Sequence, residues 1–229
     1  LVSSDNGFRK ESGYDQQKFH FKNKLSFHNI ETTFNLRLTN LNQETAGYIS
    51  GKEIYKDKKE REKNLNPEAY RDAYSVKSNL KFLWGLNDNI VSVIPYFRKT
   101  KMEFLQHYLP GTPIENNSHT SFGLIASYVN KLDNIVLTSG IQTEMAKVKL
   151  EEFQKFRLTT SSAFNNAVRP PGFHYNYKVD SRSQAVFFGF NEFFIGENYS
   201  AFGDLRLEHN DYSYNNKMLS GNTTVSYTH

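Results

Sequence analysis

Apolar side chains recur at every second position of this chain, in segment after segment. Gln17–His28 reads QKFHFKNKLSFH, with Phe19, Phe21, Leu25 and Phe27 on one side and Lys18, His20, Lys22, Lys24 and Ser26 on the other. A period of two is the repeat of a β-strand with one apolar and one polar face. The same alternation returns in Thr32–Leu41, Ala73–Trp84, Ile90–Phe104, Ser118–Tyr128, Ile135–Ala146, Val179–Phe194 and Tyr199–Tyr212. A further strand is expected at Thr223–Tyr227.

The connections alternate in length. Asn29–Glu31, Gly85–Asn89, Val129–Asn134 and Ile195–Asn198 are short. Asn42–Asp72, Leu105–Asn117, Lys147–Tyr177 and the stretch from Asp211 to Asn222 are long. Adjacent strands that turn tightly at one end and loosely at the other form an up-and-down antiparallel sheet. In outer-membrane barrels the tight end faces the periplasm and the loose end faces outside. The strands run to roughly 10–15 residues, enough for the 9–11 of a tilted membrane strand and longer than the usual 5–6 of a soluble sheet. The fold expected is all-β: an antiparallel up-and-down transmembrane β-barrel fragment of about eight or nine strands over residues 1–229, placed in the bacterial outer membrane.

Composition agrees. Mean hydropathy is −0.66, and no stretch approaches the roughly 18 apolar residues of a spanning helix. A barrel escapes that requirement, because only alternate residues meet lipid. Phe and Tyr number 19 and 14 against a single Trp, which suits aromatic girdles at bilayer interfaces. There is no cysteine, so disulfides, thiolate metal sites and cysteine nucleophiles are excluded. A net charge of +4, mixed in sign along the chain, gives no nucleic-acid footprint. Both ends read as cut, so a piece of a longer protein is expected.

Two local features stand out. Pro95 interrupts the strand Ile90–Phe104 and predicts a bulge or break there. Asn66-Pro67-Glu68 has the cap, first-turn proline and first-turn acid of a helix start, so a single helical turn is expected over Asn66–Asp72. The run KEIYKDKKEREK at Lys52–Lys63 reads as solvated loop surface, or as an attractor of anionic ligand or lipopolysaccharide phosphate.

Four stretches carry a family resemblance: SGYDQQKF at Ser12–Phe19, NQETAGYISG with NPEAYRDA at Asn42–Ala73, FLQHYLPGTPIENNSHTSFGL at Phe104–Leu124, and RPPGFHYNYKVDS at Arg169–Ser181. Together with the closing FGDLRLEHNDYSYNN, they make the chain resemble the barrel portion of TonB-dependent outer-membrane receptors. The resemblance implies a 22-stranded barrel around a plug domain and ligand capture by extracellular loops. It also implies import driven by an inner-membrane energy-transducing complex. Its implied partners are an extracellular small-molecule ligand, outer-membrane lipid, and the TonB complex acting through a plug that this chain lacks. Only eight or nine of the 22 strands are visible, so the chain reads as a middle piece of the barrel.

Enzymatic signatures are missing: there is no Gly-rich phosphate loop, no His-Glu-x-x-His and no Gly-x-Ser-x-Gly. No catalytic role and no cofactor are expected. His107, His119 and His174 fall in or at the rim of the long connections, beside Tyr108, Tyr175 and Tyr177, with Arg71 at the end of the first long loop. Imidazoles above a pore suit a metal chelate, and rings suit a rigid, partly apolar solute. Solvated or packed loop residues account for the same pattern, and no metal site is expected. Arg37, Arg98, Arg206 and the lysines of the polar faces would give a cationic lumen wall suited to anionic, siderophore-like ligands. Any hydrated lumen also needs polar residues. Two other readings use the same strands: a small outer-membrane barrel with an adhesin or structural role, and a soluble β-domain binding carbohydrate or lipid.

Overall fold

The computed structural model describes residues 1–86, 88–109, 111–156, 171–195 and 199–218. It contains nine strands: β1 Val2–Asp5, β2 Tyr14–Phe27, β3 Ile30–Glu44, β4 Tyr70–Leu86, β5 Asn89–Leu105, β6 Ile114–Leu132, β7 Ile135–Gln154, β8 Gly172–Ile195 and β9 Tyr199–Asn216. They form one antiparallel sheet in the order of the chain, each strand pairing only with its sequence neighbours. Among the described residues β1 and β9 do not pair, so the sheet is open. The all-β, up-and-down architecture expected from the alternation is the one observed.

The register follows the alternation. Phe19 opposes Leu38 and Phe21 opposes Leu36, while Phe34 opposes Leu80 and Ile30 opposes Trp84. Farther along, Phe97 opposes Phe122, Phe122 opposes Met145, and Val186 opposes Leu207. A slip of one residue would move each of these side chains to the other face. The tight ends also hold one another. Asn29 and Gly85, in adjacent hairpins, exchange a backbone bond of 2.9 Å and a side-chain bond of 3.0 Å.

The distribution of burial is inverted relative to a soluble sheet. On the apolar face Phe27, Leu25, Trp84, Phe122, Met145, Phe188, Leu205 and Leu207 all stay open, at 47–74% exposure. The buried strand residues Thr33, Ser92, Ser121, Ala146, Glu152 and Ala185 lie on the opposite, polar face. Exposed rings on that polar face (Tyr14, Tyr175, Phe202, Tyr212 and Tyr214) sit toward strand ends. Full burial of a large apolar side chain is worth about 1.5–3 kcal/mol. A whole face left half-open to water therefore forgoes an amount on the order of the roughly 5–15 kcal/mol net stability of a typical domain. The apolar face needs an apolar covering.

The structure departs from the sequence reading in several places. Strands are 14–24 residues long from β2 onward, because polar alternation carries them past the expected loop boundaries. The second long connection shrinks to residues 106–113, and β7 continues to Gln154. The ninth strand is β1 at the start of the chain; Thr223–Tyr227 lies outside the described residues. Pro95 causes no bulge. The β4–β5 register is the same on both sides of it, and only the pairings of Pro95 and Ile94 with β4 are missing, as expected around a residue without N–H. Bulges fall instead at Val136/Leu137 and Glu152/Phe153 in the β7–β8 pair, and at Phe190/Phe193 in the β8–β9 pair. In the first long loop Asn66–Ala69 closes a single turn through a 3.0 Å bond, and the strand starts at Tyr70. The helical turn lies earlier, at Lys58–Arg61, where Asp57 caps the Lys59 and Glu60 amides at 2.9 and 3.2 Å.

Candidate functional site

The polar face carries a row of basic side chains at one level. His20 opposes Arg37, Arg37 opposes Lys77, and Lys77 opposes Arg98. Alternation puts all four on the face away from the apolar side chains, and pairing sets adjacent members about 5 Å apart. Like charges directly opposite one another are destabilising. Only Arg98 is neutralised: among the described residues neither Arg37 nor Lys77 is in an ion pair. The row borders a groove of about 390 Å³ lined by Asn35, Arg37, Lys77, Asn79, Tyr96 and Arg98. Ile94 and Ile125, opposite each other, give the same groove an apolar patch. Its chemistry is that of a site for a partly apolar anion.

Glu144 of β7 anchors the far side. It accepts from the Tyr96 hydroxyl at 2.5 Å and pairs with Arg98. Arg98 Nε also donates to Ser121 Oγ at 3.2 Å. The Tyr96 ring reaches Glu144 by crossing Gly123, where an added Cβ would come 2.2 Å from Tyr96 Cζ. Phe187 crosses Gly140 in the same way, 2.3 Å from where a Cβ would stand. Such aromatic cover of a strand glycine fills the missing side-chain volume. Arg206 is spent locally, on Glu208 at 3.0 Å and Gln142 at 3.2 Å.

Of the residues expected at the site, Arg37 and Arg98 meet in this row. His119 lies on the same face, opposite Thr100 and two positions along from Ser121, about 7 Å from the row by strand rise. The others stay at the rim of the long connections. Arg71 stacks its guanidinium over Phe104, 5.5 Å from the ring centre. His107 packs edge-on against Tyr108 at 5.6 Å and beside Gly47 of the first long loop. His174, at the β8 bulge, bonds Glu152 Oε1 through Nδ1 at 2.9 Å. Tyr175 opposes Glu152, and Tyr177 packs on Tyr214 at 5.3 Å. The rim residues thus form two groups, one at β4–β5 and one at β8, and His107, His119 and His174 do not converge. Among the described residues no group of three or more His, Asp or Glu is placed to hold a metal.

Beyond the apolar side chains toward the same rim, the outward face turns ionic. Asp72 opposes Glu103, and Glu103 accepts from the Tyr70 hydroxyl at 2.8 Å. Burial and the Glu103 carboxylate push the Asp72 carboxyl above its ordinary range. Burial and the same bond push Tyr70 up to about 12.

Lys77, Tyr96 and Glu144 were not singled out in the sequence. Lys77 could have been, by counting registers outward from the Asn29–Glu31 and Gly85–Asn89 turns until the cations aligned. Tyr96 and Glu144 belong to strands two apart and are joined only across Gly123.

No protein-family model and no curated protein matches the chain. Among solved structures, it is similar to the ferric citrate transporter FecA in its unliganded form, with a TM-score of 0.71, 12% sequence identity and 91% of this chain covered. The chain spans 31% of that transporter's length. At that identity the likeness is one of fold: this sheet follows the path of a part of that transporter.

Proposed function

We propose that this chain is part of the wall of an outer-membrane, TonB-dependent import barrel that passes a bulky anionic solute inward. The observation that carries the reading is the inversion of the sheet. Its greasy face is open and needs an apolar phase, and its opposite face is polar, holds the buried strand residues, and carries an unneutralised Arg37–Lys77 pair beside Arg98. A bilayer supplies the covering on one side and a hydrated lumen the environment on the other. The fold likeness to a ferric citrate transporter supports transport, and the cation row favours an anionic metal chelate or siderophore-like cargo.

In this reading the long connections lie outside the cell and offer the first contact, with Arg71, His107, Tyr108, His174, Tyr175 and Tyr177 at the rim. The solute then descends past His119 to the row. The barrel does no covalent chemistry. Energy comes from the inner-membrane transducer, acting through a plug supplied elsewhere in the protein.

The test is uptake in cells expressing the whole protein. Candidate metal chelates of graded charge are compared between wild type and an Arg37→Gln/Lys77→Gln/Arg98→Gln variant. The proposal expects uptake that depends on the transducer and falls most for the most anionic chelate. Equal uptake of neutral and anionic solutes by both proteins would rule out the row as a selectivity element. Solubility of the protein without detergent would favour the soluble β-domain instead.

A further inference from the structure

Between the Arg37–Lys77 row and the tight ends, the polar face carries further lysines that the proposed function leaves unused. On β2, His20, Lys22 and Lys24 share this face, opposite Arg37, Asn35 and Thr33. One level below the row, Lys22 stands beside Asn35, whose amide donates to Asn79 Oδ1 at 3.0 Å. Two levels below, Lys24 and Lys81 flank the buried Thr33 from β2 and β4. Glu31 holds Lys24 at 2.7 Å. Among the described residues Lys22 and Lys81 are in no ion pair.

Across the sheet the same two levels hold no cation on β6–β8. Gly123, Ile125, Gln142, Ser183 and Ala185 occupy them, beside Glu144, which is paired with Arg98. On β9 Arg206 is spent on Glu208. At these levels the free positive charge therefore lies along β2–β4. Lys22 is the diagonal neighbour of Arg37, about 7–8 Å away. That step is within the roughly 8 Å Debye length at physiological salt, so an anion held by Arg37 and Lys77 feels the next cation before it leaves the first. The charge also thins toward the tight ends, where Glu31 offsets Lys24. Passage along a series of sites needs binding tight enough to enter and weak enough to leave. A hydrated wall accounts for polar residues of either sign, and one-sided, thinning positive charge fits a path for an anion.

We infer that the solute descends along β2–β4 and pauses at a second, lower anion station, made by Lys22 and Lys81 around the Asn35–Asn79 amide pair. Glu31 aids release from it by offsetting Lys24. This inference rests on the import reading and adds the route below the first site. Arg37 and Lys77 set affinity, and Lys22 and Lys81 set the rate of passage.

The experiment uses the whole protein, with ferric citrate as the anionic probe and a neutral ferric hydroxamate as the control. Binding is measured in neutral detergent, and transducer-dependent uptake in cells. For Lys22→Gln/Lys81→Gln, binding of ferric citrate should match wild type while its maximal uptake rate falls about tenfold. Hydroxamate uptake should not change, which separates a lost station from a damaged barrel. Lys22→Arg/Lys81→Arg should restore the rate. Wild-type uptake of ferric citrate by the glutamine variant, an equal fall for the hydroxamate, or no rescue by arginine overturns the inference. If the double variant does not reach the membrane, Lys22→Gln alone supplies the comparison. Weaker binding by Arg37→Gln/Lys77→Gln, with no effect of the lower pair on uptake, defeats this inference and leaves the import reading standing. A wild type that imports ferric citrate no better than the hydroxamate defeats the import reading first.

Discussion

Tyr96 lies flat across Gly123 and delivers its hydroxyl to Glu144, at 2.5 Å, on the strand beyond. The glycine is what lets a β5 side chain reach β7. The same carboxylate then holds Arg98 at the end of the cation row. Packing on the polar face and the charge pattern of the candidate site are therefore one arrangement.

A side chain at position 123 should break it. Gly123→Val must displace the Tyr96 ring, with a cost of about 1–3 kcal/mol for overpacking. In a double-mutant cycle with Tyr96→Ala the two changes should be strongly non-additive, since removal of the ring makes room for valine. Chemical unfolding in detergent measures this. Additive costs would mean that the ring and the glycine do not share the space.

The two faces should respond oppositely to charge. Phe122→Arg places a cation on the apolar face and should destabilise the protein in lipid by about 2–4 kcal/mol. Ser75→Arg, on the polar face, should cost far less. Equal costs, measured by unfolding from bilayers, would contradict the assignment of faces.

The rim carboxylates give a pH signature. Asp72 has a raised pKa in the folded protein, so folding is favoured while it is protonated and loses that contribution as pH rises past its ordinary value. Asp72→Asn should raise the melting temperature at pH 7 and make no difference well below pH 3.8, the ordinary Asp value. A variant less stable than wild type at pH 7 would show that the Asp72–Glu103 approach is favourable when ionised.

The histidine at the β8 bulge is held by Glu152 at 2.9 Å, with both side chains mostly buried. Glu152→Ala removes the carboxylate from this mostly buried pair and should destabilise the protein by about 1–3 kcal/mol, measured by chemical unfolding in detergent. An unchanged unfolding midpoint would mean that the pair does not hold the bulge.

The faces, the strand order and most of the register were legible in the sequence, because Phe19, Leu36, Val76, Phe122 and Leu207 have to stay on one side of a two-residue repeat. Strand ends were less legible. Ile114–Asn117 shows no two-residue repeat of apolar side chains, and in Lys147–Glu151 the repeat puts Val148 and Leu150 on the opposite parity from Leu137 and Ile141, so the apolar face that marks the rest of each strand is missing there. The site was half legible. Arg37 and Arg98 are visible as polar-face cations, but their alignment through Lys77 depends on register summed over two hairpins. The His174–Glu152 pair depends on a bulge that no local residue signals.

The central claim is that one face of the sheet meets lipid and the other meets water. The chain has no cysteine, so single cysteines can be placed at Phe34, Asn35, Leu36 and Arg37 in turn and labelled in reconstituted vesicles. The account predicts alternation: lipid-dissolved quenchers reach labels at 34 and 36, and water-soluble reagents reach 35 and 37. Labels at 34 and 36 that are shielded from both lipid and water, as in a dry protein core, would contradict it.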